Sequence, residues 1–484
     1  MRTGILAGLS AAALVIIAPA QAQAQPVMPD SALATPEEEA AAVEWLKTTG
    51  TAFEPSAYDA ATLAPLAERL GNARIVGIGE ATHGSHQDQA FKAELIKALV
   101  RSGKLDVLIL EANRIPAMGF DRYIREGGGD LAEVVQAPAF FRIWKNDEFG
   151  GLLLWLRNWN RTAERKVRII GVDCQDGGRD AAAALTFVER YDPATAKRLR
   201  TDLSELIAAM DNPRKRFVDW LVDAPLDRLA AAQSASAQLA AWFETAPEAA
   251  RKDPALAEAQ WAARTAYQAF LSFEFDREDA DKSKADPAYF ARRDRYMGEN
   301  ALTMLAEGER GALWAHDSHV LPELPPEAEA VDFVTTGSVL RKQIGNAYAA
   351  VGFTWSQGGF HATMLPIGED WMRVSQRQSL EVFKLPNNRP GDLGHVFDRT
   401  GQRAMWVDLD ALPTEGPVAA WAKRPYWRGW SGAAANPDTW QKTNFETGEI
   451  PPPVDIGYDV IVWFQTISPT RLLPVADPPP ASAP

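Results

Sequence analysis

Cysteine is almost missing: Cys174 is alone in 484 residues, so no intrachain disulfide is possible and stability must come from an apolar core. Histidine is nearly as scarce, with six in the chain, which makes any clustering of it informative. Positive charge is in deficit, 50 Lys and Arg against 64 Asp and Glu for a net charge of −14. Binding to a phosphate backbone needs clustered basic residues, so nucleic acid is excluded as a partner. Beyond the first residues no apolar run approaches the ~20 residues of a membrane span, and no stable membrane anchor is expected. With 46% hydrophobic and 24% charged residues the composition is that of a soluble globular protein, long enough for one large core or two domains.

Familiar motifs are missing as well. Gly77-x-Gly79 is followed by Thr82, which breaks the dinucleotide fingerprint, and there is neither a Walker A sequence nor H-E-x-x-H. Gly429-Trp430-Ser431-Gly432-Ala433 lacks the last glycine of a nucleophile elbow and a clear strand before it, so a serine nucleophile is not the first choice.

The first 24 residues read as a secretory signal peptide. Arg2 precedes an apolar run from Ile5 to Ala18, and overlapping A-x-A sites then end at Ala20, Ala22 or Ala24. No cysteine directly follows the run, so the lipoprotein variant is excluded, and the mature chain is expected to leave the cytoplasm, for the periplasm if the source is a Gram-negative bacterium. At the other end, residues 471–484 are Pro/Ala-rich and read as a disordered tail.

Between these ends, short apolar runs alternate with helical segments. Thr35, Pro36 and three glutamates start a helix. The runs 74–79, 105–110, 167–172 and 311–315 are nearly continuous in apolar residues, as strands buried on both faces of a sheet are. "AYAAVGFTW", "RAMWVDL" and "YDVIVWFQT" are later strand candidates. The expected fold is α/β: a mostly parallel or mixed central sheet flanked by helices, with an inserted helical subdomain. Its first half spans 35–192, a helical insertion without strand signals 193–290, and its second half 291–470.

The residues just past each strand carry the chemistry. The first run ends in Glu80 and His83, the second in Glu111, the third in Asp173 and Asp176, and the fourth in His316 and His319. In open α/β sheets ligands bind at the carboxyl ends of strands, so these acids and histidines would share one crevice. His83 precedes a helix that Ser85-x-x-Asp88 starts and Gly103 ends, and Lys92 lies two turns into it on the Ser85 side. An unpaired carboxylate at Glu111 would be costly on an apolar strand, which favours a site role. His86 reads as solvent-facing or supporting, Cys174 as an inert buried thiol, His361 and His395 as structural. Asp173, Asp176 and Arg114 read equally well as surface or site charges. Such residues suit histidine and carboxylate chemistry on water.

Several blocks resemble the erythromycin esterase family: "GIGEATHG", the lysine nine residues after His83, "LEAN" and "LWAHDSHV", then "RDRYMGEN", "YAAVGFTWSQGGF" and "YDVIVWFQTISPTRLL". The resemblance runs from about residue 55 to 470. It implies metal-independent hydrolysis of an ester, in the best-known members a macrolide lactone, with Glu80, His83, Lys92, Glu111, His316 and His319 as site residues and no cofactor. Asp317 stands where the family often has Asn, and is expected to add a negative charge near the site. Two other readings compete. Glu80, His83, Glu111, His316 and His319 would also suit Zn²⁺ or Mn²⁺ in a metal-dependent hydrolase or peptidase. A pure binding protein would use the Trp-rich "WAKRPYWRGW" as a sugar or lipid surface, although such Trp more often belong to a core.

Overall fold

Thr35 caps the first helix, Pro36–Thr49, by accepting from the Glu38 amide at 3.2 Å while Glu38 Oε2 accepts from the Thr35 amide at 2.8 Å. Both end groups of a capping box are thus satisfied. The computed structural model describes residues 33–474, except 57, 138, 213–214, 274–287, 325–332, 365–379, 385–387, 389, 430, 436–452 and 456. The expected signal segment 1–24 and the tail beyond 474 lie outside the described residues.

Among the described residues ten strands form one mixed sheet: β1 Thr51–Ala52, β2 Ile75–Ile78, β3 Val107–Asn113, β4 Arg168–Asp173, β5 Gly311–Trp314, β6 Tyr348–Met364, β7 Leu380–Lys384, β8 Ala404–Asp408, β9 Ala434–Ala435 and β10 Val460–Ile467. The order is β1-β8-β10-β6-β2-β5-β3-β4, with β7 and β9 on the far part of β6. From β10 to β4 all neighbours run parallel; β8 is antiparallel to β10 and β1 to β8. The α/β expectation holds, and the sheet is mixed because β8 runs against β10, β1 against β8 and β7 against β6.

Every residue of β2, β3 and β5 is buried, as strands covered on both faces require. One face carries Val76, Ile78, Leu108, Leu110 and Trp314 into a core shared with the helices His86–Arg101 and Asp147–Asn160. The other carries Ile75, Ile109 and Leu313 against Met297 and Ala301 of the helix Ala288–Met304. β3 runs beyond the expected Leu110 to Asn113, and its pairing with β4 shifts register between Leu110 and Asn113. Gly171 of β4 makes room for this irregularity, since a Cβ there would meet the Ala112 carbonyl oxygen at 2.5 Å.

The helices Gly177–Glu189, Pro193–Met210, Leu226–Glu244 and Leu256–Ser272 close around their own apolar cluster, which includes Leu199, Leu206, Phe217, Leu239 and Phe270. That cluster begins at Ala181, ahead of the boundary expected at 193. At the C-terminal side, residues 471–474, expected in the tail, are instead attached. The Asp147 amide donates to the Arg471 carbonyl at 2.8 Å and the Leu473 amide to the Lys145 carbonyl at 2.9 Å, so backbone pairing holds this stretch against the fold. Trp421 and Trp427 are buried, which accounts for two aromatics of the Trp-rich stretch as core; Trp430 lies outside the described residues.

Candidate active site

The order β2-β5-β3-β4 places side by side four strand ends that are scattered along the chain. Ile78 pairs with Trp314, Trp314 with Leu110 and Leu110 with Gly171. Each strand therefore releases its acid or histidine at the same level of the sheet.

Glu80 comes after β2 and is fully buried. Its Oε1 accepts from His83 Nδ1 at 2.5 Å and from Trp144 Nε1 at 3.0 Å. Oε2 accepts from Lys92 Nζ at 2.7 Å and from Gln89 Nε2. Lys92 Nζ also donates to the Ala315 carbonyl at 3.0 Å and lies 4.4 Å from the Trp314 ring centroid. Burial pushes the Glu80 carboxyl up, but Lys92 and His83 outweigh it and hold it below the usual range. Burial lowers Lys92 against the opposing pull of Glu80. Ser85, Gln89 and Lys92 are spaced four and three apart, one face of the helix His86–Arg101. That face is what brings Gln89 and Lys92 to Glu80.

His83 keeps 12% of its side chain exposed. With Nδ1–H donated to Glu80, its Nε2 has no hydrogen-bond partner among the described residues. The ring lies 4.9 Å from that of His316, centroid to centroid, and edge-on to Trp144 at 5.4 Å. Beneath it, Asp88 Oδ2 accepts from the Ala81 and Thr82 amides at 3.0 and 3.4 Å and so fixes the turn. Burial, aided by Glu80, pushes the Asp88 carboxyl up to about 7.

His316 caps the short helical turn Asp317–Val320. Its Nδ1 accepts from the Ser318 amide at 3.2 Å, which leaves the proton on Nε2, 3.2 Å from the Ser431 carbonyl. Burial, with His83 next, pushes this imidazole down to about 3, so His316 is neutral. Its own amide donates to Glu111 Oε2 at 2.9 Å.

Glu111 belongs to a second network. Its Oε1 accepts from Arg293 Nη2 at 2.8 Å and from His319 Nε2 at 3.1 Å. Arg293 also grips Asp173 through Nε at 2.9 Å and Nη2 at 2.8 Å. His319 Nδ1 meets Asp294 at 2.8 and 3.0 Å, and Asp294 in turn accepts from the Thr336 amide at 2.7 Å. Burial opposes protonation of His319, but Asp294 and Glu111 overcome it and raise the ring to about 10. Arg293 Nη1 lies 3.1 Å from His319 Nε2; with the ring protonated, the two cations share Glu111 and do not bond to each other. Burial raises the Glu111 carboxyl, yet His319 and Arg293 hold it well below its usual range.

The six expected site residues therefore fall into two sets. Glu80, His83 and Lys92 form one, Glu111 and His319 the other, and His316 joins them through its ring and its amide. Among the described residues Glu111 makes no hydrogen bond to His83; it is linked to the first set by its bond to the His316 amide and by its electrostatic coupling to His83 and Lys92. Sequence alone assigns no site role to Trp144, Gln89, Arg293, Asp294 or Ser431, although Arg293 and Asp294 open the family-like block "RDRYMGEN" and Ser431 stands in the broken nucleophile-elbow stretch. Gln89 has a signal in the helix face it shares with Lys92, whereas Trp144 is one of sixteen Trp with nothing to mark it.

Other residues go elsewhere. Arg114 pairs with Asp180 at 2.7 Å, toward the helical region. Asp176 caps the helix Gly177–Glu189. His86 Nδ1 meets Glu148 Oε1 at 2.5 Å, a supporting pair. Cys174 is buried, and burial pushes its thiol up to about 12. Asp317 is the residue expected to add a negative charge. Its carboxyl packs against Gly79 and accepts from the Phe353 amide at 3.0 Å, and burial raises it well above the carboxylate range. Burial thus works against a negative charge on this side chain. Among the described residues, no three His, Cys, Asp or Glu side chains are arranged to hold a metal ion.

Comparisons with known proteins bear on the family and the fold. A curated erythromycin esterase type I from Escherichia coli is 28% identical over 214 residues, 43% of this chain and 46% of that protein; the alignment thus spans about half of that relative. Among solved structures, a Bacillus cereus protein superposes with a TM-score of 0.72 at 19% identity, covering 90% of this chain and 99% of the other. A succinoglycan biosynthesis protein gives 0.70 at 17% over 90% and 99%. An erythromycin esterase variant in an open conformation gives 0.63 at 18% over 88% and 98%. These three show the shared fold. The family model for erythromycin esterase matches residues 102–467, most of the chain, and the protein belongs to the erythromycin esterase family.

Proposed function

We propose that the protein hydrolyses a carboxylic ester or lactone with a water molecule activated by His83. One observation carries this reading: Glu80 holds His83 through Nδ1 at 2.5 Å while Nε2 is left without a partner among the described residues. Glu80 fixes the tautomer and stabilises the imidazolium that forms when Nε2 takes a proton from water. Lys92 keeps Glu80 ionised in a dry setting. His316, neutral and protonated at Nε2, is a weakly held donor facing His83 and is assigned to the developing oxyanion. Glu111 holds the His316 amide and, with Arg293 and His319, fixes the floor of the site.

Family membership and the E. coli relative support hydrolase chemistry. The metal-dependent alternative finds less support in the geometry. Both oxygens of Glu80 are already taken by N–H donors, and Lys92 and Arg293 place positive charge beside the carboxylates, which disfavours a cation. A panel of esters, lactones, macrolides and peptides should be assayed with the protein before and after chelation, with elemental analysis of the stripped sample. Loss of turnover that returns with Zn²⁺, Mn²⁺ or Co²⁺ would replace this reading by the metal one. Residues 1–24 are proposed as an export signal to the periplasm; N-terminal sequencing of exported protein should begin at Gln21, Gln23 or Gln25.

A further inference from the structure

The turn Arg142–Trp144, continued by Lys145, does two things at once. Trp144 points into the site and donates to Glu80 at 3.0 Å. Its neighbours Arg142 and Lys145 are half-buried cations with no carboxylate within ion-pair distance among the described residues. Their polar partners are backbone carbonyls at long range: Arg142 donates to Lys145 and Leu473 at 3.3 Å, and Lys145 Nζ to Ala137 at 3.3 Å. A third basic group, His361, stands beside them. Its backbone lies so close to Gly84 that a Cβ there would meet the His361 carbonyl oxygen at 1.9 Å, and its amide donates to the Gly84 carbonyl at 3.1 Å. His361 therefore borders the turn that carries His83.

This arrangement is unfavourable as it stands. Burial lowers Lys145 to about 8, with Arg142 adding to the effect, and burial, then Arg142, lowers His361. The nearby acid Glu148 is engaged by His86 at 2.5 Å. A chain of net charge −14 has ample carboxylates to neutralise such a cluster, yet none of the described ones does so. Like charges held together with only carbonyl partners suit a ligand that supplies the anion.

We infer that Arg142 and Lys145 form an anion subsite beside His83, and that the substrate is an ester or lactone bearing a carboxylate or similarly charged group. This rests on the hydrolase reading above, and the test separates the two. Wild type and the Arg142→Met, Lys145→Met and doubly substituted proteins are compared on a matched pair, p-nitrophenyl butyrate and mono-p-nitrophenyl succinate. The readout is the ratio of kcat/KM, anionic over neutral. A charge-assisted contact implies a wild-type ratio of about tenfold or more, falling toward one in the double variant and in high salt. A wild-type ratio near one, or a ratio untouched by the substitutions, overturns the inference while hydrolysis itself stands. A second measurement does not depend on turnover: succinate titrated against tryptophan fluorescence. Saturable quenching in wild type that is lost in the double variant supports the subsite even if neither ester is cleaved, an outcome that would count against the hydrolase reading alone. No saturable response in wild type overturns the subsite.

Discussion

Glu80–His83 and Glu111–His319 are built from the same two residue types and both adjoin His316, yet they hold their histidines in different states. His83 has one carboxylate, on Nδ1, and an open nitrogen. His319 has a carboxyl on each nitrogen and is raised to about 10. His316 lies between them, its ring nitrogens next to the Ser318 hydroxyl and amide and the Ser431 carbonyl, and burial lowers it to about 3. The difference teaches that the number of carboxylates facing a buried imidazole, more than its burial, decides whether it serves as base, fixed cation or neutral donor. Only the ring with a single acid and a free nitrogen is suited to taking a proton.

The largest effect should come from removing that free nitrogen. His83→Ala should lower kcat by about 10²–10⁴-fold with an unchanged melting temperature, because a general base contributes on that scale. Turnover within a few-fold of wild type would transfer the base role to another group. Glu80→Gln should lower kcat by ~10²-fold. It should also destabilise the fold by about 3–5 kcal/mol, since Lys92 would lose its buried counter-charge; denaturant unfolding measures the second part. Stability unaffected by this change would mean that Lys92 does not depend on Glu80.

On the other side of the comparison, Glu111→Gln should lower kcat on the order of 10–100-fold while KM moves little, as expected for loss of a charge-assisted contact that positions the floor. A KM effect alone would make Glu111 a binding residue. The two remaining histidines should show opposite pH signatures in stability. His319 is raised in the folded state, so its contribution is fully present below about 6.5 and is lost as pH rises toward about 10. His316 is lowered, so the unfolded chain takes up a proton as pH falls from about 6.5 toward about 3, and stability drops over that window. Melting curves across pH for wild type and His319→Asn should show the alkaline slope reduced in the variant. An unchanged alkaline slope would contradict a protonated His319.

The smallest effect is expected at Asp317. Because burial raises its carboxyl well above the carboxylate range, Asp317→Asn should change stability by no more than about 1 kcal/mol, the scale of one hydrogen bond, and leave turnover close to wild type. A large change in either would show that the side chain carries charge and that its family position matters electrostatically.

Much of the fold and site is legible in the residues. The continuous apolar runs announce buried strands because two-face burial leaves no room for polar alternation, and each is found. The helix start at Ser85 is legible because a cap is a local bond, here Ser85 Oγ accepting from the Asp88 amide at 3.2 Å. Acids and histidines after those strands are legible because parallel strands end on one side of the sheet. The roles of Arg293 and Asp294 are not. They open the block "RDRYMGEN" that carries part of the family resemblance, but they lie on the helix Ala288–Met304, 182 residues from Glu111, and nothing local says which strand ends they reach. The attachment of residues 471–474 is hidden for a related reason, since backbone pairing leaves no mark on side-chain composition.

By itself the sequence determined the elements, the strand ends that carry acids and histidines, and the scarcity that made those histidines stand out. These arise from local forces: apolar periodicity, end-capping and the cost of an unpaired charge on an apolar strand. Only the tertiary structure decided the pairing of Glu80 with His83, the double grip on His319, the neutrality of His316, the burial of Asp317, and the cations left beside Trp144. Protonation states and partners depend on which strands become neighbours and on how much water is removed. Both are set by contacts between residues up to hundreds of positions apart, as when Arg293 reaches Glu111 across 182 residues.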